Sequence, residues 1–202
     1  MVDWNKLATR DKVESVVKAL KERGIDAEIV ESGEEAKKRV LELIPSGAEV
    51  MHVTSTTLDQ IGVSKAIESG NYVSLRKVLM SIDDETERKD ARRKSLSPDY
   101  GIGSVQAVTE AGQVVSISAS GSQLPVYAYG AKNVIWVVST DKIVKNIEEA
   151  YKRVYDYVLP LESERVRKVY KIPGSAVMKI LIFEKEMPGR IKLIFVNEKL
   201  GF

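Results

Sequence analysis

Between Trp4 and Arg23 the apolar residues Leu7, Val13, Val16, Val17 and Leu20 recur at close to helical spacing, and Gly24 follows as a stop. The chain therefore opens on an amphipathic helix. A short alternation over Asp26 to Val30 reads as a strand. Ser32-Gly33 then leads into a second helix over Glu34 to Ile44, with Ala36, Val40, Leu41 and Ile44 on its apolar side. After the Pro45-Ser46-Gly47 turn, Ala48 to Val53 is a nearly unbroken apolar run of the kind found in strands covered on both faces. LDQIGVSKAIESG reads as a helix ended by Gly70, and Tyr72 to Leu75 as a third strand. Residues 83 to 99 are polar and of mixed sign, which suits a solvated helix and loop or a mobile cover.

The second half continues the alternation. Ile102 to Ser118 holds two apolar stretches around Glu110-Ala111-Gly112, a strand, turn and strand. Gly121-Ser122 precedes a short helix through Tyr129, and Val134 to Val138 is one of the clearest apolar runs. Asp141 is placed to cap a helix over Ile143 to Val158, and Ala176 to Phe183 and Ile191 to Val196 close the chain as strands. Strands alternating with helices predict an α/β fold, a mostly parallel sheet flanked by helices, in one domain over residues 1–202.

Composition narrows the function classes. Thirty-one basic and 29 acidic residues give a formal net charge of +2, far from the footprint of a dedicated nucleic-acid binder. No apolar run approaches the roughly 20 residues that span a bilayer, and the first residues lack the apolar centre of a signal peptide, so a cytoplasmic protein is expected. Cysteine is absent, which excludes disulfides, thiolate nucleophiles and cysteine-ligated clusters. With His52 the only histidine, neither a metal site nor a cofactor is expected.

Candidate chemistry follows from the rule that ligands of open parallel sheets lie beyond the carboxyl ends of the strands. Thr54, Ser55, Thr56 and Thr57 join a buried strand to a helix; their hydroxyls and amides suit a phosphate or carboxylate, although one of them could simply cap the helix. Arg92 and Arg93, with Arg88 one turn earlier, present guanidinium forks to an anion or form solvated surface. In Ser104 to Gly112, which includes Gln106, Glu110 beside Ala111-Gly112 reads either as a base or nucleophile or as a turn carboxylate. Gly121 and Ser122 offer further amide donors. His52 and Trp136 lie inside apolar strands and read as core. No GxGxxG, Walker loop or nucleophile elbow occurs.

The stretch SVQAVTEAGQVVSISASGSQLPVYAYGAKNVIWVVSTDKIVKNIEEA, residues 104 to 150, resembles the LUD (lactate utilisation) domain, whose members carry "ITEDG", a glycine-bearing loop and "GPKKVIVVVGxNKI". TSTTLDQIGV is similar to that family's hydroxyl-rich loop followed by EIGL, and GRIKLIFVNEKLGF to its closing segment. The resemblance implies the fold shared by ribose-5-phosphate isomerase, glucosamine-6-phosphate deaminase and CoA transferases. It also implies a small anionic metabolite as ligand, in a role linked to oxidation of lactate or a related acid. Two alternatives stand beside this: a non-catalytic subunit partnering iron–sulfur or flavin proteins in a redox complex, and a phosphosugar isomerase or CoA-transferase-like enzyme. Homo-oligomers are compatible with each. By resemblance to the CoA transferases' Glu-x-Gly, Glu110 is the candidate catalytic residue, with Thr54 to Thr57, Arg92, Arg93, Ser104, Gln106, Gly112, Gly121 and Ser122 as binding candidates. The chain departs from the family in lacking its cysteine cluster, in having Gln106 for the Asn of "SVNA", and in Gly130-Ala131-Lys132-Asn133 for "GPKK".

Overall fold

A computed structural model describes residues 2–202. Its centre is a six-stranded sheet in which every neighbouring pair runs parallel, in the order β1-β10-β7-β4-β2-β3. These strands are β1 (Asp26–Val30), β2 (Glu49–His52), β3 (Val73–Ser74), β4 (Tyr100–Gly103), β7 (Asn133–Ser139) and β10 (Ile191–Val196). The apolar run of β7 is continuous because both of its faces are covered. Val134, Trp136 and Val138 pack toward α1 (Arg10–Glu22), which contributes Val13, Val16 and Leu20. Ile135 and Val137 pack on the opposite face against α2 (Gly33–Leu43), α3 (Thr56–Gln60) and α4 (Val63–Ser69).

A second sheet of four strands has the order β8-β5-β6-β9, from β5 (Ala107–Thr109), β6 (Val114–Ser118), β8 (Ile143–Val144) and β9 (Lys179–Phe183). Strand β9 therefore does not join the parallel sheet. It pairs antiparallel with β6, from Val114 opposite Phe183 to Ser118 opposite Lys179. Ala107, Val115, Val144 and Ala150 form a small core of their own, against which Trp4 packs.

Three local expectations are corrected. The third strand is only Val73–Ser74, because Ser74 turns at once to cap α5 (Leu75–Met80), its Oγ accepting from Lys77 N. Asp141 does not cap the long helix. It lies in a tight turn, Thr140–Lys142, and Asn146 caps α7 (Ile147–Arg153) by accepting from Glu149 N. That helix does not end at Val158. A wide turn over Val154–Val158 carries it into α8 (Leu159–Tyr170), placing Pro160, which has no N–H to give, in the first turn of the new segment. Residues 83 to 99 do contain a helix, α6 (Glu85–Lys94), with no buried residue of its own.

Gly24 stops α1 for a definite reason. Its φ of +79° is left-handed, and a Cβ there would lie 2.0 Å from the carbonyl oxygen of Glu186.

Candidate functional site

The segments that leave β2, β4 and β7 at their carboxyl ends converge on a cleft of about 730 Å³. Its opposite wall comes from the end of β6, from α8 and from the segment before β9, while α5 and α6 close one side.

Lys142 forms the floor. It is 2% exposed, and its Nζ donates to Ser104 Oγ at 3.1 Å and lies 3.2 Å from Thr57 Oγ1. Its near neighbours in sequence do not neutralise it. Asp141 turns instead toward Arg153, 3.4 Å away, in a pair whose side chains are both 0% exposed. Arg153 also donates to the carbonyl of Gln106 at 2.7 Å and lies 5.3 Å from the Tyr157 ring centroid. Burial is the main cause that lowers the Lys142 pKa to about 7; the Arg153 charge lowers it further, and Asp141 offsets part of this. Near neutral pH, the floor of the cleft is therefore an amine divided between its neutral and charged forms. Burial likewise lowers Arg153 from its ordinary value, opposed chiefly by Asp141.

The hydroxyl-rich loop divides its duties. Thr54 Oγ1 accepts from Arg76 at 2.7 Å, Ser55 Oγ caps α3 by accepting from Leu58 N, and Thr57 is buried beside Lys142. Thr54, Ser55, Thr56 and Thr57 all line the cleft. The helix they introduce is only five residues long, so its dipole adds little to anion binding. Ser104 and Gln106 also line the cleft, but the side chain of Gln106 is already engaged, its Oε1 accepting from Ile117 N at 2.8 Å. Ser122 reaches the wall, although the amides of Gly121 and Ser122 are taken by the hydroxyls of Ser118 and Ser120.

The arginines separate. Arg92 lines the cleft and has no carboxylate within ion-pair distance among the described residues. Arg93 points elsewhere and pairs with Asp90 at 2.8 Å. Arg76, from α5, is a second cleft cation held by a hydroxyl rather than by a carboxylate. A third, Arg165, is bound at 2.7 Å through two nitrogens to the two oxygens of Glu162.

Glu110 and Gly112 are not brought to the cleft. The Glu110 carboxylate meets Lys12 of α1 at 2.6 Å, and a Cβ on Gly112 would lie 2.7 Å from the backbone of Ala19 in the same helix. The turn that carries them packs on α1 and does not share the cleft with the hydroxyl-rich loop. His52 is buried on the cleft side. Its Nε2 is 3.1 Å from Glu68 Oε1 without hydrogen-bond alignment, and burial, then the Arg76 charge, lowers its pKa. Trp136 is core, edge-on to Tyr127 and Phe183 with centroids at 5.5 and 5.0 Å.

Sequence reasoning missed Lys142 and Arg76. Lys142 stands in STDKIV, the part of the chain similar to the family's "GxNKI", and that shared lysine is the signal that points to it. Arg76 follows a two-residue strand and carries no comparable mark.

In open parallel α/β sheets, ligands lie beyond the carboxyl ends of the strands, which is where this cleft opens. The chain belongs to the LUD domain family, whose model matches residues 13–196, a family linked to lactate utilisation proteins. Among solved structures it is similar to a DUF162 family protein from Deinococcus radiodurans, at 12% identity and a TM-score of 0.60, covering 95% of this chain and 100% of that one. At that identity the likeness shows the fold alone. No curated protein matches the sequence. No described helix is long and apolar enough to cross a membrane.

Proposed function

We propose that the cleft binds a small organic anion, a carboxylate or a phosphate, in a role linked to the oxidation of lactate or a related acid. The observation that carries this reading is the pair Arg76 and Arg92, two guanidinium groups on the cleft wall with no carboxylate partner among the described residues. Arg76 is half-buried and Arg92 exposed; a half-buried cation without a counterion gains most from a ligand that brings one. Thr54, Thr56 and Ser104 add hydroxyls to the lining of the same cleft. Calorimetric titration with lactate, pyruvate, phenylpyruvate and phosphate tests the reading. At least one should bind, and the Arg76→Ala/Arg92→Ala double variant should bind it much more weakly. Equal affinity in the double variant would contradict it.

A second reading, a partner subunit for an iron–sulfur or flavin redox protein, is favoured by the exposed Met80, Tyr170, Ile172 and Met178 on the cleft walls. Apolar side chains gathered at one opening suit a protein contact as well as a ligand.

A further inference from the structure

We propose that Lys142 Nζ condenses with the carbonyl group of an α-keto acid bearing an apolar substituent, holding it in the cleft as an imine. The inference rests on the anion-site reading and deepens it by naming the ligand class and the atom that engages it.

A buried lysine kept for structure is ordinarily paired with a carboxylate. Lys142 is not. Its Nζ has two neutral hydroxyls, Ser104 Oγ at 3.1 Å and Thr57 Oγ1 at 3.2 Å, while the neighbouring carboxylate of Asp141 is committed to Arg153. The position is also one that keeps the amine partly neutral, since its pKa is lowered to about 7. A neutral amine on the floor of a cleft is a nucleophile toward carbonyl carbon, as a solvated ammonium is not.

The surroundings select the electrophile. Arg76 and Arg92 favour a carboxylate, and in an α-keto acid the carbonyl carbon is bonded directly to that carboxylate. Leu79, Met80, Val158, Tyr170 and Met178 line the same space with apolar surface. A cleft of about 730 Å³ lies within the roughly 300–1,000 Å³ that holds drug-sized ligands, more room than a three-carbon acid needs. An aromatic or branched aliphatic substituent fills the remainder.

The step balances without an oxidant or reductant. The nitrogen lone pair forms a C–N bond to the carbonyl carbon, and the carbonyl π pair moves onto oxygen, which takes a proton. The first proton on oxygen comes from the nitrogen; the nitrogen's second proton passes to the resulting hydroxyl as the C–O bond breaks and the nitrogen lone pair forms the C=N bond, and one water departs. The Ser104 and Thr57 hydroxyls, both within hydrogen-bond distance of Nζ, can relay the proton from nitrogen to oxygen.

Borohydride reduction tests the proposal, because it converts an imine into a stable secondary amine. Full-length protein is incubated with phenylpyruvate and sodium cyanoborohydride, then analysed by intact mass and peptide mapping. The expected product is one adduct, on Lys142, formed at least roughly tenfold faster than on any other lysine, because the free-amine fraction at neutral pH is far larger at a pKa near 7 than at the ordinary value of about 10.4. Excess phenyllactate, which has the carboxylate and ring but no carbonyl, should suppress it. Lys142→Arg should remove the adduct, and Ser104→Ala, which keeps the amine, should slow its formation while melting as a folded protein. Labelling spread over surface lysines would overturn the proposal, as would an adduct that phenyllactate leaves untouched. Phenylpyruvate that binds in competition with phenyllactate yet leaves Lys142 unmodified would sink the imine and spare the anion site. Absence of binding by any tested anion would remove both.

Discussion

Lys142 and Ser104 leave adjacent strands, β7 and β4, and meet with Nζ 3.1 Å from Oγ at the base of the cleft. The contact places a titratable amine where water is largely excluded, with Thr57 beside it and the Asp141–Arg153 pair behind. Folding then depends on pH in a definite direction. The Lys142 pKa falls from an ordinary 10.5 to about 7, so between those values the unfolded chain binds a proton that the folded chain does not. Stability contributed by this residue is present at high pH and is lost as pH falls from about 10 toward 7. The slope is at most about 1.4 kcal/mol per pH unit. Melting temperature against pH should therefore rise more steeply for the wild type than for Lys142→Met across this window. Parallel profiles would show that the amine is solvated.

Arg153 is fully buried, holds Asp141 and donates to the Gln106 carbonyl. Arg153→Met would strand a buried carboxylate, a loss of about 3–5 kcal/mol. Urea denaturation should move its midpoint down accordingly. It should also raise the Lys142 pKa, because the Arg153 charge is one of the two causes lowering it.

Arg76 and Arg92 can be removed one at a time. Each charge-assisted bond to a bound anion is worth roughly 1.5–3 kcal/mol, so each alanine variant should weaken binding by about 10- to 100-fold. Arg92 is exposed, and its loss should change stability by no more than about 0.5 kcal/mol. Titration calorimetry beside thermal melts separates the two effects.

Glu110 offers the opposite contrast. Its pair with Lys12 is about two-fifths exposed on both sides, a setting worth at most about 1 kcal/mol. Glu110→Gln should leave anion affinity unchanged in the same titration, because its turn packs on α1 rather than on the cleft. A large loss of affinity would mean that the turn and the cleft communicate.

Gly103 precedes Ser104 at the end of β4, and a Cβ there would lie 1.6 Å from the Tyr127 hydroxyl and 2.7 Å from a Val53 methyl. Gly103→Ala should cost about 3 kcal/mol or more by overpacking, read as a lower urea midpoint.

The parallel sheet was legible because β7 and β10 are long apolar runs, and runs buried on both faces are distinctive. The first two helices were legible from their 3.6-residue spacing and their glycine and serine boundaries. Strand β9 was legible as a strand but its sheet was not, since KILIF alternates no differently from a strand of either sheet and its partner is set by contacts far along the chain. Asp141 misled for a related reason. A carboxylate ahead of an apolar helical pattern reads as a cap, and only the fold brings Arg153 back over it. The hydroxyl loop and Ser104 line the cleft at the strand ends, whereas the Glu-Ala-Gly motif lies in a turn that the chain uses to pack on α1. Lys142 stayed hidden because a lysine among polar residues looks solvated, and its burial comes from four separate segments: the turn after β7, Ser104, Thr57 and the tail at Gly201.

A crystal structure of the protein soaked with phenylpyruvate tests the central claim most directly. Density for the ligand should lie in the cleft, continuous with Lys142 Nζ and against Ser104, with its carboxylate toward Arg76 or Arg92. Ligand seated instead at the Glu110 turn on α1, with the cleft unchanged, would contradict the account.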